Sequence, residues 1–201
     1  MDIRLTQALG PVKLALVDAA SKAERRRLRV LGSSAPCKAG CSGCCSRLVK
    51  VTMAEALIMY DHLLESGEWV GVRARAEAQM PEAMEASPAA WFMMGRRCPV
   101  LRPESGTCLA YPVRPALCST HFVRSNPGLC DPHAVVQGKY EPVQFNDLVE
   151  AFLKKMLANV AGSGIFQLEL PLPAALLLSE RVNLQAGLTL DRVVSLFLNE
   201  F

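Results

Sequence analysis

Eight cysteines lie between positions 37 and 130 of this 201-residue chain, four packed into Cys37-x3-Cys41-x2-Cys44-Cys45 and four spread over Cys98, Cys108, Cys118 and Cys130. Thiolates are soft, anionic donors suited to zinc and to iron–sulfur clusters, and short-spaced cysteines let one loop supply several ligands at small entropic cost. That chemistry requires the two halves of the set to meet in the fold. The glycines and small residues between Cys37 and Cys45 permit a tight backbone whose amides can point at sulfur and stabilise its charge. Adjacent Cys44 and Cys45 point in different directions in almost any backbone conformation, so a simple tetrahedral site rarely takes both. Eight thiols suffice for two four-cysteine sites, or for one cluster with accessory cysteines, and spacing alone does not choose. All eight are candidate metal ligands.

The downstream half reads Cys98-Pro99-Val100-Leu101, then Gly106-Thr107-Cys108-Leu109-Ala110-Tyr111-Pro112-Val113-Arg114-Pro115-Ala116-Leu117-Cys118. With the upstream cluster, this resembles the YkgJ-type cysteine-cluster family, a zinc- or iron-chelating domain with a C-x-x-C-x-x-C-C signature followed by C-P-x-L and G-x-C-x-x-Y-x-x-R-P-x-x-C-R. Cys130-Asp131 is similar to a later Cys-Asp pair of some members. The Cys37 to Cys41 spacing is one residue longer than the signature, and Ser119 stands where arginine is usual. The resemblance covers residues 36 to 143. It implies metal binding, by a [4Fe-4S] cluster or zinc, with Tyr111 and Arg114 shaping the cofactor pocket. It also implies a distant relation to flagellin lysine N-methylases, larger proteins associated with an iron–sulfur cluster, which would make this chain an enzyme acting on a protein side chain. The enzyme label does not transfer automatically, and a thiol redox sensor is a further alternative. Cys37-x3-Cys41-x2-Cys44 also matches the spacing of radical S-adenosylmethionine enzymes, but the chain is short for a barrel and lacks repeated strand–helix alternation.

The bounds from composition agree. With 51% hydrophobic and 20% charged residues the chain is that of an ordered globular protein, and its length suits one domain, 1–201. A net charge of +3 is too weak to imply a nucleic-acid or membrane partner. Lys13 and Asp18 interrupt the apolar run near the N-terminus, and Ala174 to Leu178 is far short of a membrane span. A cytoplasmic protein is expected, where thiols stay reduced and disulfides give way to metal or catalytic use. The metal ion is the expected partner, with a protein substrate or partner left open.

The elements that must position the cysteines are mainly α-helical: a single helical domain with cysteine-rich irregular loops converging on a metal site. Leu5, Leu9, Val12, Leu16, Ala19, Ala20 and Ala23 form the stripe of a long helix over residues 3 to 31 that ends at Gly32-Ser33-Ser34-Ala35-Pro36. Thr52-x-x-Glu55 has the form of a capping box and predicts a helix over 53 to 65, and another covers Val70 to Met80. Pro81 to Pro142 holds most of the prolines and predicts loops, turns and short helices around the remaining cysteines. Helical spacing returns at Phe145 to Val160 and Leu190 to Phe201, joined by a Gly162-Ser163-Gly164 turn, an Ile165 to Leu170 alternation and a Pro171-Leu172-Pro173 break. The cysteine core thus spans about 36 to 143, with helical scaffold at 1 to 32 and 144 to 201.

Other residue sets read more blandly. His121, three residues after Cys118, is expected to hydrogen-bond its neighbours rather than bind metal, and neither His62 nor His133 has ligand spacing. Arg25-Arg26-Arg27-Leu28-Arg29 lacks aromatic interleaving and is expected to be a solvated helix end, so nucleic acid is not an expected partner. Met93 and Met94 are expected to fill core gaps beside Trp91 and Phe92. No metalloprotease helix, dinucleotide fingerprint or phosphate loop is present.

Overall fold

The computed structural model describes residues 3–32, 37–38, 40–132, 138–159 and 164–184. Seven α-helices and four three-residue strands occur among them. The mainly helical fold class is observed.

The first helix, α1 (Ile3–Leu31), runs through Pro11 and buries Leu9, Val12, Leu16, Ala19 and Ala23, the stripe that its periodicity predicts. After the first cysteine loop, strand β1 (Lys50–Thr52) leads into α2 (Met53–Glu65). The capping box forms: Thr52 Oγ1 accepts from the Glu55 amide, and the Glu55 carboxylate accepts from the Thr52 amide. Helix α3 (Trp69–Glu85) carries on through Pro81, beyond the stop expected at Met80. Burial of Met80 and Ala83 on either side of the proline holds that last turn against the protein. Short helix α4 (Pro88–Met94) follows, capped by Ser87 and ended by Gly95 at φ +64°.

The second half holds α5 (Ala116–Ser119), strands β2 (His121–Val123) and β3 (Pro142–Gln144), α6 (Asn146–Asn159), strand β4 (Glu169–Pro171) and α7 (Leu172–Leu184). Strand β1 pairs antiparallel with β4, Val51 opposite Leu170, and β2 pairs antiparallel with β3, Phe122 opposite Val143. Helix α7 begins where the two prolines were expected to break the chain. Pro173 sits in its first turn, where a missing N–H costs nothing, and Ala174 to Leu178 are buried. Helices α2, α3 and α7 pack together, and α1 leans on α6 and α2. Leu57, Ile58, Met59, Leu63, Val72 and Leu176 are among the side chains sealed in the resulting core. The helix expected at Leu190 to Phe201 and most of the Gly162-Ser163-Gly164 turn lie outside the described residues, as does His133. No helix among the described residues is long and apolar enough to cross a membrane.

Candidate metal centre

The upstream loop enters at Cys37 and tightens into a 3-10 turn at Gly43–Ser46. Gly40 takes φ +89°, a left-handed conformation that side chains rarely adopt. Gly43 is small for another reason: a Cβ there would stand 2.8 Å from Cys130 Cβ and 2.9 Å from the Pro127 carbonyl oxygen. The first cysteine loop therefore lies hard against the last cysteine.

The middle cysteines are carried by a small hairpin. Leu101 and Cys108 form an antiparallel bridge, and Arg102 and Thr107 close the tip. The Cys98 amide donates to the Cys45 carbonyl at 2.8 Å, joining the hairpin to the upstream loop. Helices α2 and α3 fix it from the other side. Arg75 Nε donates to the Pro99 carbonyl at 2.8 Å, Gln79 Nε2 to the Arg97 carbonyl at 2.9 Å, and His62 Nε2 donates to the Leu109 carbonyl at 3.2 Å. Glu55 does the same for Cys118. Its buried carboxylate accepts from the Ala116 amide at 2.9 Å, at the head of the short helix that holds Cys118.

All eight cysteines are free thiols. Seven of them, all but Cys130, line one chamber of about 120 Å³ together with Tyr111, Arg114 and the apolar Met59, Trp91 and Leu172. Cys44 is the hub, because its charge is felt by Cys37, Cys45, Cys98, Cys108, Cys118 and Cys130 and it feels that of Cys41. Among the described residues no three donors already stand at coordination spacing.

The charges of the thiols divide into two proton-sharing pairs. The Cys37 thiol bonds to Cys41, which falls to about 6 while Cys37 rises. In the same way Cys45 holds Cys44 at about 7 and is itself driven up. In each pair one thiol is made the more acidic at its neighbour's expense, and the thiolate is the form that binds metal. Burial pushes Cys98 up to about 12, Cys130 to about 11, and raises Cys108 and Cys118. Backbone amides oppose that rise. Cys41, Cys98 and Cys108 each take a hydrogen bond from the amide two residues on, those of Gly43, Val100 and Ala110. The Val123 amide donates to Cys37 Sγ at 3.2 Å. Such N–H···S bonds favour the charged sulfur and tune a bound metal.

The Arg114 guanidinium stands over the Tyr111 ring, 3.9 Å from its centroid, and its charge pulls against the rise at Cys108. Its Nε is buried with no hydrogen-bond partner among the described residues, a donor left facing a thiol-rich wall. Its charge also reaches the Glu24 carboxylate, which lines the same chamber, so Nε is the unpaired donor of a half-buried guanidinium beside the thiols. Ser119, where arginine was expected, is buried with its hydroxyl on the Ala116 carbonyl.

Residues 36–135 match a family model named CxxCxxCC and described as a putative zinc- or iron-chelating domain. Over these residues the chain belongs to the CxxCxxCC family. No curated protein and no solved structure matches it. The CxxCxxCC segment takes in all eight cysteines together with Tyr111 and Arg114, so every candidate site residue read from the sequence falls inside it.

Several residues near the CxxCxxCC cysteines were not singled out for a role in the sequence: Glu55, Arg47, Tyr140 and Gln144. Of these only Glu55 left a signal, its capping-box position. His121 hydrogen-bonds as expected, though to side chains: Nδ1 to Gln144 Oε1 at 3.1 Å, and Nε2 to Tyr140 and Arg47, each at 3.1 Å. The arginine run is less solvated than expected. Arg27 is buried against Glu24, and Arg26 pairs with Asp147 over the Phe145 ring. The expectation for Met93 and Met94 is corrected: they are 64% and 48% exposed, because the brief α4 can turn only Trp91 inward.

Proposed function

We propose that this protein is a cysteine-ligated metalloprotein whose thiol chamber holds an iron–sulfur cluster. One observation carries the reading. Seven thiols share a chamber of about 120 Å³, room for about four waters at about 30 Å³ each, which is more than a single tetrahedral ion requires. The donor chemistry supports it: sulfur dominates, amides point at sulfur, and the orphan Arg114 Nε supplies a positive group beside the thiols. Cys44, Cys98, Cys108 and Cys118 are the ligand set we favour, with Cys37 and Cys41 next to them and Cys45 the proton partner of Cys44. Cys130 closes the back of the upstream loop. Tyr111 holds Arg114 in place.

An iron–sulfur centre would supply one-electron chemistry, with its potential set by the amides and by burial. Zinc is the second reading, favoured by the depth of Cys98 and Cys118, which suits a closed structural site. Protein purified without oxygen decides between them by iron, sulfide and zinc per chain measured with the visible spectrum. Matched iron and sulfide with broad charge-transfer absorption is the expected result. Stoichiometric zinc in a colourless protein sinks the cluster reading, and absence of any stoichiometric metal sinks both.

A further inference from the structure

Beside the thiol chamber lies a second and larger cavity of about 610 Å³, within the range of about 300–1,000 Å³ typical of small-molecule sites. The two adjoin: Cys44, Arg47, Leu48, Val49, Cys118 and His121 belong to both walls. Apolar side chains in the lining of the larger cavity are Leu48, Val49, Phe92, Leu117 and Leu129. The same lining carries Arg47, Lys50, His121, Tyr140 and Gln144. No described residue lining it is acidic, and neither Arg47 nor Lys50 has an ion-pair partner among the described residues.

These polar groups are held by a directional chain of hydrogen bonds. Thr120 Oγ1 donates to the Ala116 carbonyl at 2.7 Å, and Gln144 Nε2 donates to Thr120 Oγ1. That fixes the Gln144 oxygen as an acceptor, so His121 Nδ1 carries the proton it donates there. His121 Nε2 is then an acceptor, met by Tyr140 O–H and Arg47 Nη1. Arg47 is thereby anchored through one nitrogen, and its Nε and Nη2 donors make no hydrogen bond to a described residue. A guanidinium anchored on one side with donors to spare is suited to a carboxylate.

We propose that this cavity binds a small organic carboxylate with an apolar tail. The head is held by Arg47 and Lys50, and the tail by Phe92, Leu117 and Leu129. The ligand would lie against Cys44 and Cys118, beside the thiol chamber, and its binding does not require that chamber to hold metal.

Calorimetric titration of the full chain tests this with hexanoate, hexylamine and inorganic phosphate, with metal content measured on the same sample. Saturable one-to-one binding of hexanoate and none of hexylamine is the expected result. Arg47→Gln should weaken hexanoate roughly ten- to hundredfold, the range for losing a charge-assisted hydrogen bond. Lys50→Glu, on an exposed strand position, should weaken it severalfold without a folding risk. Absence of saturable hexanoate binding, equal binding of hexylamine, binding of phosphate alone, or unchanged affinity in both variants overturns the proposal. Hexanoate binding to protein without stoichiometric metal would uphold this cavity and overturn the metal reading, so the two fail separately.

Discussion

Glu55 is the residue whose replacement reads the structure most sharply. Its carboxylate is buried and accepts three hydrogen bonds, from the Ala116 amide at 2.9 Å, the Thr52 amide at 2.9 Å and the Thr52 hydroxyl at 2.8 Å. Alanine leaves both amides without an acceptor in the interior, at about 1–3 kcal/mol each, offset in part by no longer burying a carboxylate. A loss of about 2–5 kcal/mol follows. Glutamine keeps the shape and one acceptor. The Thr52 hydroxyl can turn to accept from its amide group, so one backbone donor is orphaned and the loss is about 1–3 kcal/mol. Urea unfolding monitored by tryptophan fluorescence gives both values.

The pH dependence of the glutamine comparison adds a sign. Burial raises Glu55 above its ordinary 4.5, outweighing the three donors. The folded state then binds the proton more tightly than the unfolded state. That stabilisation is fully present below the unfolded value and is lost as pH rises through the folded one. Glutamine does not titrate, so the wild-type advantage should narrow as pH rises above about 4.5. Two variants within about 0.5 kcal/mol of wild type, or an advantage that widens with pH, would refute the reasoning.

Three further outcomes follow from the site. Cys44→Ala should abolish stoichiometric metal while Cys130→Ala retains most of it, as measured by metal analysis of the purified variants; equal retention contradicts the hub role of Cys44. Gly43→Ala drives a methyl into Cys130 and the Pro127 carbonyl and should cost about 1–3 kcal/mol by overpacking, read as a lowered unfolding midpoint at unchanged slope. Metal affinity, measured by chelator competition, should rise with pH through neutrality, because burial holds Cys98, Cys108 and Cys118 as thiols that must lose protons to bind; a flat profile contradicts thiol ligation.

The parts of this fold that carry local signals were legible in the sequence. Helix α2 starts at its capping box, and α1 shows its buried stripe and stops before Gly32. The cysteine spacings pointed to metal binding, because thiols are soft donors and short-spaced cysteines in a glycine-rich loop supply several at once, but they left one site or two open. Helix α7 was hidden for the opposite reason: Leu172 to Ser179 are buried on every side, and a helix without a polar face has no amphipathic period to read. Pro171 and Pro173 then looked like a break, although a proline in the first turn opens a helix. Of the strands, only β4 left a trace, at the end of the Ile165 to Leu170 alternation whose start is a 3-10 turn over Gly164–Gln167; three-residue strands paired across the chain are otherwise too short to show a period. Arg47, Tyr140 and Gln144 come together only through the pairing of β2 with β3 and the turn after Cys45, a long-range event with no local trace. Glu55 was read as a cap, which it is, but its second oxygen reaches 61 positions along the chain to Ala116.

X-ray absorption on anaerobically purified protein, at the iron and zinc edges, tests the central claim most directly because it counts the atoms around the metal. A first shell of sulfur alone at iron, with a second shell of iron, is the predicted result and would place the thiols of the chamber on a cluster. A first shell of nitrogen and oxygen, or no metal above trace, would contradict it.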